Sequence, residues 1–147
     1  MATTRRADAR WQGSLMEGSG VVAASSSSAF SDLPVTWKAR TAESEGKTSP
    51  EELIAAAHAS CFAMALSHAL STAGTPPQQL DVSASVTFDN VGGGFKITSS
   101  RLTVQGVVPG IDAAGFQQAA EGAKDGCPVS QALKGNVELS VEASLGA

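Results

Sequence analysis

The sequence reads as a single α+β domain spanning residues 1–147. Three features say so: a capped, strongly apolar helix opening near residue 50, long segments behind it that alternate apolar and polar residues, and an element order of strands, long helix, hairpin, two helices and a closing strand. At roughly 100–200 residues per domain, the length suits one core.

Residues 10–39 carry Trp11, Val21, Val22, Val35 and Trp37 in short runs broken by Gly18, Gly20, Ser25–Ser28 and Pro34, the spacing of short strands joined by turns. Thr41–Ser49 is polar and charged and reads as a surface loop. Ser49-Pro50-Glu51-Glu52 then supplies an N-cap serine, proline at the first helical position and a glutamate three residues after the cap, the pattern of a capping box. The helix should run to about Ala73, where Gly74, Pro76 and Pro77 stop it.

Leu80, Val82, Ala84, Val86 and Phe88 alternate with polar residues as a half-buried strand. Gly92-Gly93-Gly94 should reverse the chain into an antiparallel partner running from Phe95 through Leu102 to Val108, ended by Pro109-Gly110. Asp112 can cap a helix reaching about Lys124, and Gly126 breaks it before Cys127-Pro128 opens a helical turn to about Lys134. Val137, Leu139, Val141 and Ala143 alternate with polar residues as the closing strand.

Composition excludes several classes. With 42% hydrophobic and 16% charged residues the chain should be globular, and a net charge of −4 gives nucleic-acid binding little support. The N-terminal residues 1–13 carry charge with no apolar stretch behind them, so no secretory signal is expected and the cytoplasm is the expected location. Leu53–Leu70 has 14 apolar residues of 18 but includes His58, Ser60, Ser67 and His68, so we read it as a buried core helix and expect no membrane association. Its apolar side chains point in nearly every direction at 100° per residue, and a helix apolar all round must be covered all round. A second copy of the chain is the expected cover, giving a homodimer with paired central helices.

Two cysteines, Cys61 and Cys127, are few for a disulfide scaffold. They are either ordinary buried thiols or a pair cycling between thiol and disulfide. Cys127 sits where a helix N-terminus could lower its pKa, whereas Cys61, ten residues into its helix, would need an imported cation. His58 and His68 lie about 60° and 20° around the helix from Cys61. No zinc-ligand spacing appears and His68 is about 10 Å along the axis, so no metal is expected and both histidines read as satisfied core or interface imidazoles. The triple glycine lacks a strand-to-helix setting, so a hairpin turn explains it better than a phosphate loop. Gly-x-Ser-x-Gly, HExxH and CxxC are all missing.

Residues 48–67, TSPEELIAAAHASCFAMALS, resemble the signature helix of the OsmC/Ohr family of thiol peroxidases. Val108-Pro109-Gly110-Ile111-Asp112 and Gly126-Cys127-Pro128-Val129-Ser130-Gln131 resemble the family's other two landmarks in the same order, and Ala9-Arg10-Trp11-Gln12-Gly13 fits its start, so the likeness covers essentially the whole chain. It implies an antiparallel sheet wrapped around a long central helix, an intertwined homodimer, and reduction of hydroperoxides, organic ones especially, without metal or prosthetic group. By the same resemblance Cys61 attacks the peroxide and Cys127 resolves the sulfenic acid. Glu51 matches the family's assisting glutamate, and Arg40 matches the arginine of the OsmC branch. The Ohr branch draws its arginine from the early hairpin, where Glu17-Gly18-Ser19-Gly20 has none. A dithiol, in the family often a lipoylated protein, would close the cycle.

Glu51 and Cys61 are roughly 15 Å apart in helical rise, too far for one to serve the other within a subunit. Antiparallel pairing of the central helices would bring Glu51 of one subunit near Cys61 of the other. A pocket lined by Leu53, Phe62, Met64 and strand residues is expected to favour bulky organic peroxides. A non-catalytic redox sensor and a structural dimer with inert thiols remain the alternatives.

Overall fold

The computed structural model of the chain describes residues 1–146. The chain divides into two compact units, Met1–Leu53 and the residues from Ile54 onward.

In the first unit, β1 (Asp8–Gln12), β2 (Ser19–Ala23) and β3 (Leu33–Val35) form an antiparallel sheet in that order. Pro34 sits on edge strand β3, where its missing N–H costs no ladder bond. The sequence placed Trp37 among the short strands, but Trp37–Thr41 is a helical turn, α1. The Thr36 hydroxyl accepts from the Ala39 N–H and caps it, a local bond that outweighs the strand preference of the aromatic residue.

Helix α2 (Pro50–Thr72) begins in this unit. Ser49 Oγ accepts from the Glu52 N–H at 3.1 Å, so the expected serine cap forms, while the Glu52 carboxylate takes the Thr48 hydroxyl instead. At the other end Gly74 has φ +91°, its N–H bonds Ser71 C=O, and the Thr75 N–H bonds Leu70 C=O. These are the paired bonds of a Schellman stop, which needs a left-handed residue after the helix.

In the second unit, β4 (Gln79–Val91) pairs antiparallel with β5 (Gly94–Val107). Val91 opposes Gly94, leaving a two-residue loop of Gly92 and Gly93, both at positive φ, as a type I′ hairpin requires. Helix α3 (Ala113–Gly126) is capped by Asp112, α4 (Pro128–Leu133) follows Cys127, and β6 (Glu138–Leu145) closes the chain. The expectation of an antiparallel sheet needs amending here, because β6 runs parallel to β5. The passage through α3 and α4 is a crossover, the kind of connection a parallel pair needs.

The core of this unit gathers Phe62, Leu66 and Leu70 of α2 with Leu102 and Val104 of β5, Phe116, Ala120 and Ala123 of α3, and Val141 of β6. On α2 the buried residues His58, Phe62, Leu66 and Leu70 recur every fourth position, one stripe only. Ala56, Ala57 and Ala69 stay exposed and Met64 is 74% exposed, so a single chain covers one face of a helix that is apolar on all of them. The expected burial of the whole helix is therefore met only in part. Its length and composition alone would also suit a membrane span, but the buried stripe includes a histidine and packs on sheet and helix, as in a globular core.

Candidate active site

Each unit contributes one cluster of reactive side chains. In the first, α1 carries Arg40 and the opening turn of α2 carries Glu51. Arg40 Nε donates to Glu51 Oε1 at 3.0 Å and to Oε2 at 3.3 Å, and Nη2 donates to Oε2 at 2.9 Å. This fork pins the guanidinium, whose side chain is 29% exposed, on a carboxylate that is 7% exposed. Trp37 lies against the same group, with its ring centroid 5.9 Å from Cζ. Beside them opens an apolar cavity of about 350 Å³, lined by Trp11, Leu15, Val35, Thr36, Trp37 and Pro50 with Arg40 at its wall.

The second cluster holds both cysteines. Cys61 is half-buried on α2, and fully buried Cys127 occupies the joint between α3 and α4; both are free thiols. The chain folds so that the two thiols influence each other's ionisation. Burial pushes the Cys61 thiol up, the neighbouring Cys127 pushes it further, and the Val129 backbone offsets this in part. Burial also works to raise Cys127, but its polar neighbours Cys61, Ser130 and Val129 outweigh it and leave the thiol below its ordinary value. Cys61 needs a further positive group to become the thiolate.

The same unit holds a network that sequence reasoning missed. His58, fully buried, bonds Ser100 Oγ through Nδ1 at 2.6 Å and Ser130 Oγ through Nε2 at 2.7 Å. His58 is a satisfied core imidazole, one of the two expected forms, whereas His68 is exposed and lies outside the core. Only the lone histidine on an otherwise apolar stripe hinted at the network, since its partners lie on β5 and α4. Of the expected pocket residues, Leu53 is half-buried, Phe62 is wholly enclosed in the core and Met64 is out in the open, and the cavity beside Arg40 is lined by Trp11, Leu15 and Trp37. No group of three or more His, Cys, Asp or Glu among the described residues could hold a metal ion.

Comparison with known proteins gives a consistent result. The family model described as OsmC-like protein matches residues 42–142, a range that includes Glu51, Cys61 and Cys127 and starts just after Arg40. Peroxiredoxin OsmC of Escherichia coli is 42% identical over 142 residues, 97% of this chain and 98% of that protein. Among solved structures, an organic hydroperoxide resistance protein from Elizabethkingia anophelis superposes with a TM-score of 0.75 at 25% identity, covering 99% of this chain and all of that one. The organic hydroperoxide resistance protein OhrB of Bacillus subtilis does so with a TM-score of 0.73 at 25% identity, covering 95% and 98%.

Proposed function

Because the chain belongs to the OsmC family, we propose that it is a cysteine-based peroxidase that reduces organic hydroperoxides, and hydrogen peroxide more weakly, to alcohols. The observation that carries this reading is that two free thiols from distant parts of the chain, Cys61 and Cys127, are near enough to perturb each other's ionisation. Names of the relatives, peroxiredoxin and organic hydroperoxide resistance protein, support the same chemistry.

The Cys61 thiolate attacks one peroxide oxygen in line with the O–O bond, which breaks, and the leaving alkoxide takes a proton to become the alcohol. Cys61 is left as sulfenic acid. Cys127 then attacks that sulfur, the S–O bond breaks, the departing hydroxide leaves as water, and the disulfide forms before irreversible oxidation can occur. A dithiol, such as that of a lipoylated protein, reduces the disulfide in the cytoplasm.

Arg40 stabilises the thiolate and orients the peroxide, and Glu51 fixes the guanidinium. Since Cys61 requires a positive group, and since Glu51 is roughly 15 Å from it in helical rise, the Arg40–Glu51 pair serves Cys61 of the other subunit in a homodimer. The uncovered face of α2 supports that dimer, and the apolar cavity beside Arg40 supports a bulky organic substrate.

Purified protein should consume cumene hydroperoxide repeatedly with a dithiol reductant, and Cys61→Ser should abolish turnover. A single oxidation per chain without turnover would instead indicate a redox sensor. Mixing Glu51→Ala with Cys61→Ala subunits should restore part of the activity; no rescue would refute the shared site.

A further inference from the structure

Trp37 belongs to two structures at once. It lines the apolar cavity of about 350 Å³, and its half-buried ring faces the Arg40 guanidinium, with the centroid 5.9 Å from Cζ. The contact is built locally, because residues three apart on a helical turn lie on the same side of it, and the Thr36 hydroxyl holds that turn by accepting from the Ala39 N–H at 3.1 Å. The other basic residue of α1, Lys38, turns to Glu45 at 3.5 Å, and both of those side chains are well exposed. The geometry points to Trp37 as a positioning and specificity-determining residue: its ring face sets the tilt of the guanidinium whose edge Glu51 holds, and a peroxide substituent seated in the cavity tightens that contact. This rests on the reading of Arg40 as the group that serves Cys61 in a peroxidase.

Glu51 meets the guanidinium edge-on, through Nε and Nη2 at 2.9–3.3 Å. Hydrogen bonds at such oxygens accept a broad range of approach directions, so the fork fixes the edge and constrains tilt about that edge only weakly. An aromatic face beside the cation opposes the tilt, because the attraction comes from the negative face of the ring and requires the cation to stay over it.

The cavity gives the same contact a second role. Hydrogen peroxide carries no group that could fill apolar space, whereas the substituent of an organic hydroperoxide can enter the cavity and displace water from the indole. A cation–π attraction strengthens as it is desolvated. The organic substrate thereby tightens the arginine that acts on its own O–O bond, so that binding energy from a remote part of the substrate is expressed at the reacting centre.

The test replaces Trp37 by mono-, di- and trifluorotryptophan through nonsense suppression, which withdraws charge from the ring face while nearly preserving its shape, and adds Trp37→Leu and Trp37→Phe. Alkylation of Cys61 by iodoacetamide, located by peptide mass spectrometry across pH, reads its thiolate fraction without any peroxide. Trp37→Leu should lower that fraction about threefold, moving the profile up by about 0.5 pH unit. Trp37→Phe, which keeps a ring face, should lie between it and the wild type, and the fluorinated proteins should shift in order of fluorine number. The ratio of kcat/KM for cumene hydroperoxide to that for hydrogen peroxide should fall by roughly a further threefold in the trifluoro protein, a change that a merely space-filling ring would not produce.

Folded Trp37→Leu and trifluoro proteins with the wild-type alkylation profile would overturn the positioning role, and a shifted profile with an unchanged substrate ratio would overturn the specificity role. Arg40→Ala separates the inference from its premise. If it shifts the Cys61 profile while the Trp37 variants do not, the inference alone falls; if neither shifts it, the shared site falls as well. A graded shift in a wild-type protein that turns over no peroxide supports the placement of Trp37 and overturns the peroxidase reading.

Discussion

Replacing Arg40 by lysine keeps the positive charge and removes the fork, which makes it a sharp probe of what the Arg40–Glu51 pair contributes. The arginine spans both oxygens of Glu51 through Nε and Nη2 at 2.9–3.3 Å. An ammonium can meet one oxygen well, so at least one charge-assisted bond is lost, worth roughly 1.5–3 kcal/mol. The 29% exposure of the arginine side chain lets water compensate in part, so the lower part of that range, about 1.5–2 kcal/mol, applies. If the fork orients the guanidinium toward the thiolate and the peroxide, that loss appears in kcat/KM at about 1.4 kcal/mol per factor of ten, a decline of roughly 10- to 30-fold. The assay is cumene hydroperoxide reduction at saturating dithiol, with urea denaturation alongside to confirm a folded protein. Arg40→Ala should lose more, because it strands a buried carboxylate. Wild-type kcat/KM in a folded Arg40→Lys protein would refute the reasoning, since charge without orientation would then suffice.

Other expectations can be checked separately. Gly106→Ala should destabilise the protein by roughly 1–3 kcal/mol, read as a lower urea midpoint, because the new Cβ would sit 2.5 Å from Cζ of buried Phe116 and 3.1 Å from Leu80 Cδ2. Cys127→Ser should pass through one oxidation and then accumulate Cys61 sulfinic acid, visible by mass spectrometry as two added oxygens. Stability should fall as pH drops below about 6.5, because buried His58 has its pKa lowered while the unfolded chain takes up the proton there. The loss should continue until the folded-state pKa is reached, and His58→Gln should flatten the decline in urea midpoint between pH 7.5 and 5. Met64→Glu, on the open face of α2, should shift a dimer toward monomer in sedimentation velocity.

Local chemistry was legible in the residues themselves. Ser49-Pro50 opens α2 and Gly74 closes it through bonds made within a few residues, and Gly92-Gly93 turns the β4–β5 hairpin because both positions take positive φ. Strand alternation marked which side chains of β4 face inward, and the burial pattern of that strand follows it. The two cysteines and the motifs around them identified the chemistry to look for. Trp37 lies in a helical turn because the threonine cap before it outweighs the strand preference of an aromatic residue.

Long-range placement was decided only in three dimensions. Parallel pairing of β6 depends on how the α3–α4 crossover returns the chain to β5, and an alternating strand reads the same in either direction. The partners of His58 lie 42 and 72 residues away, and their meeting requires α2 to pack between β5 and α4. The cavity of Trp11, Leu15 and Trp37 is likewise assembled from separate segments around Arg40. Periodicity tells which side of an element is apolar and caps tell where it ends. Which hydroxyl meets which ring nitrogen is set by packing between elements that no spacing along the chain records.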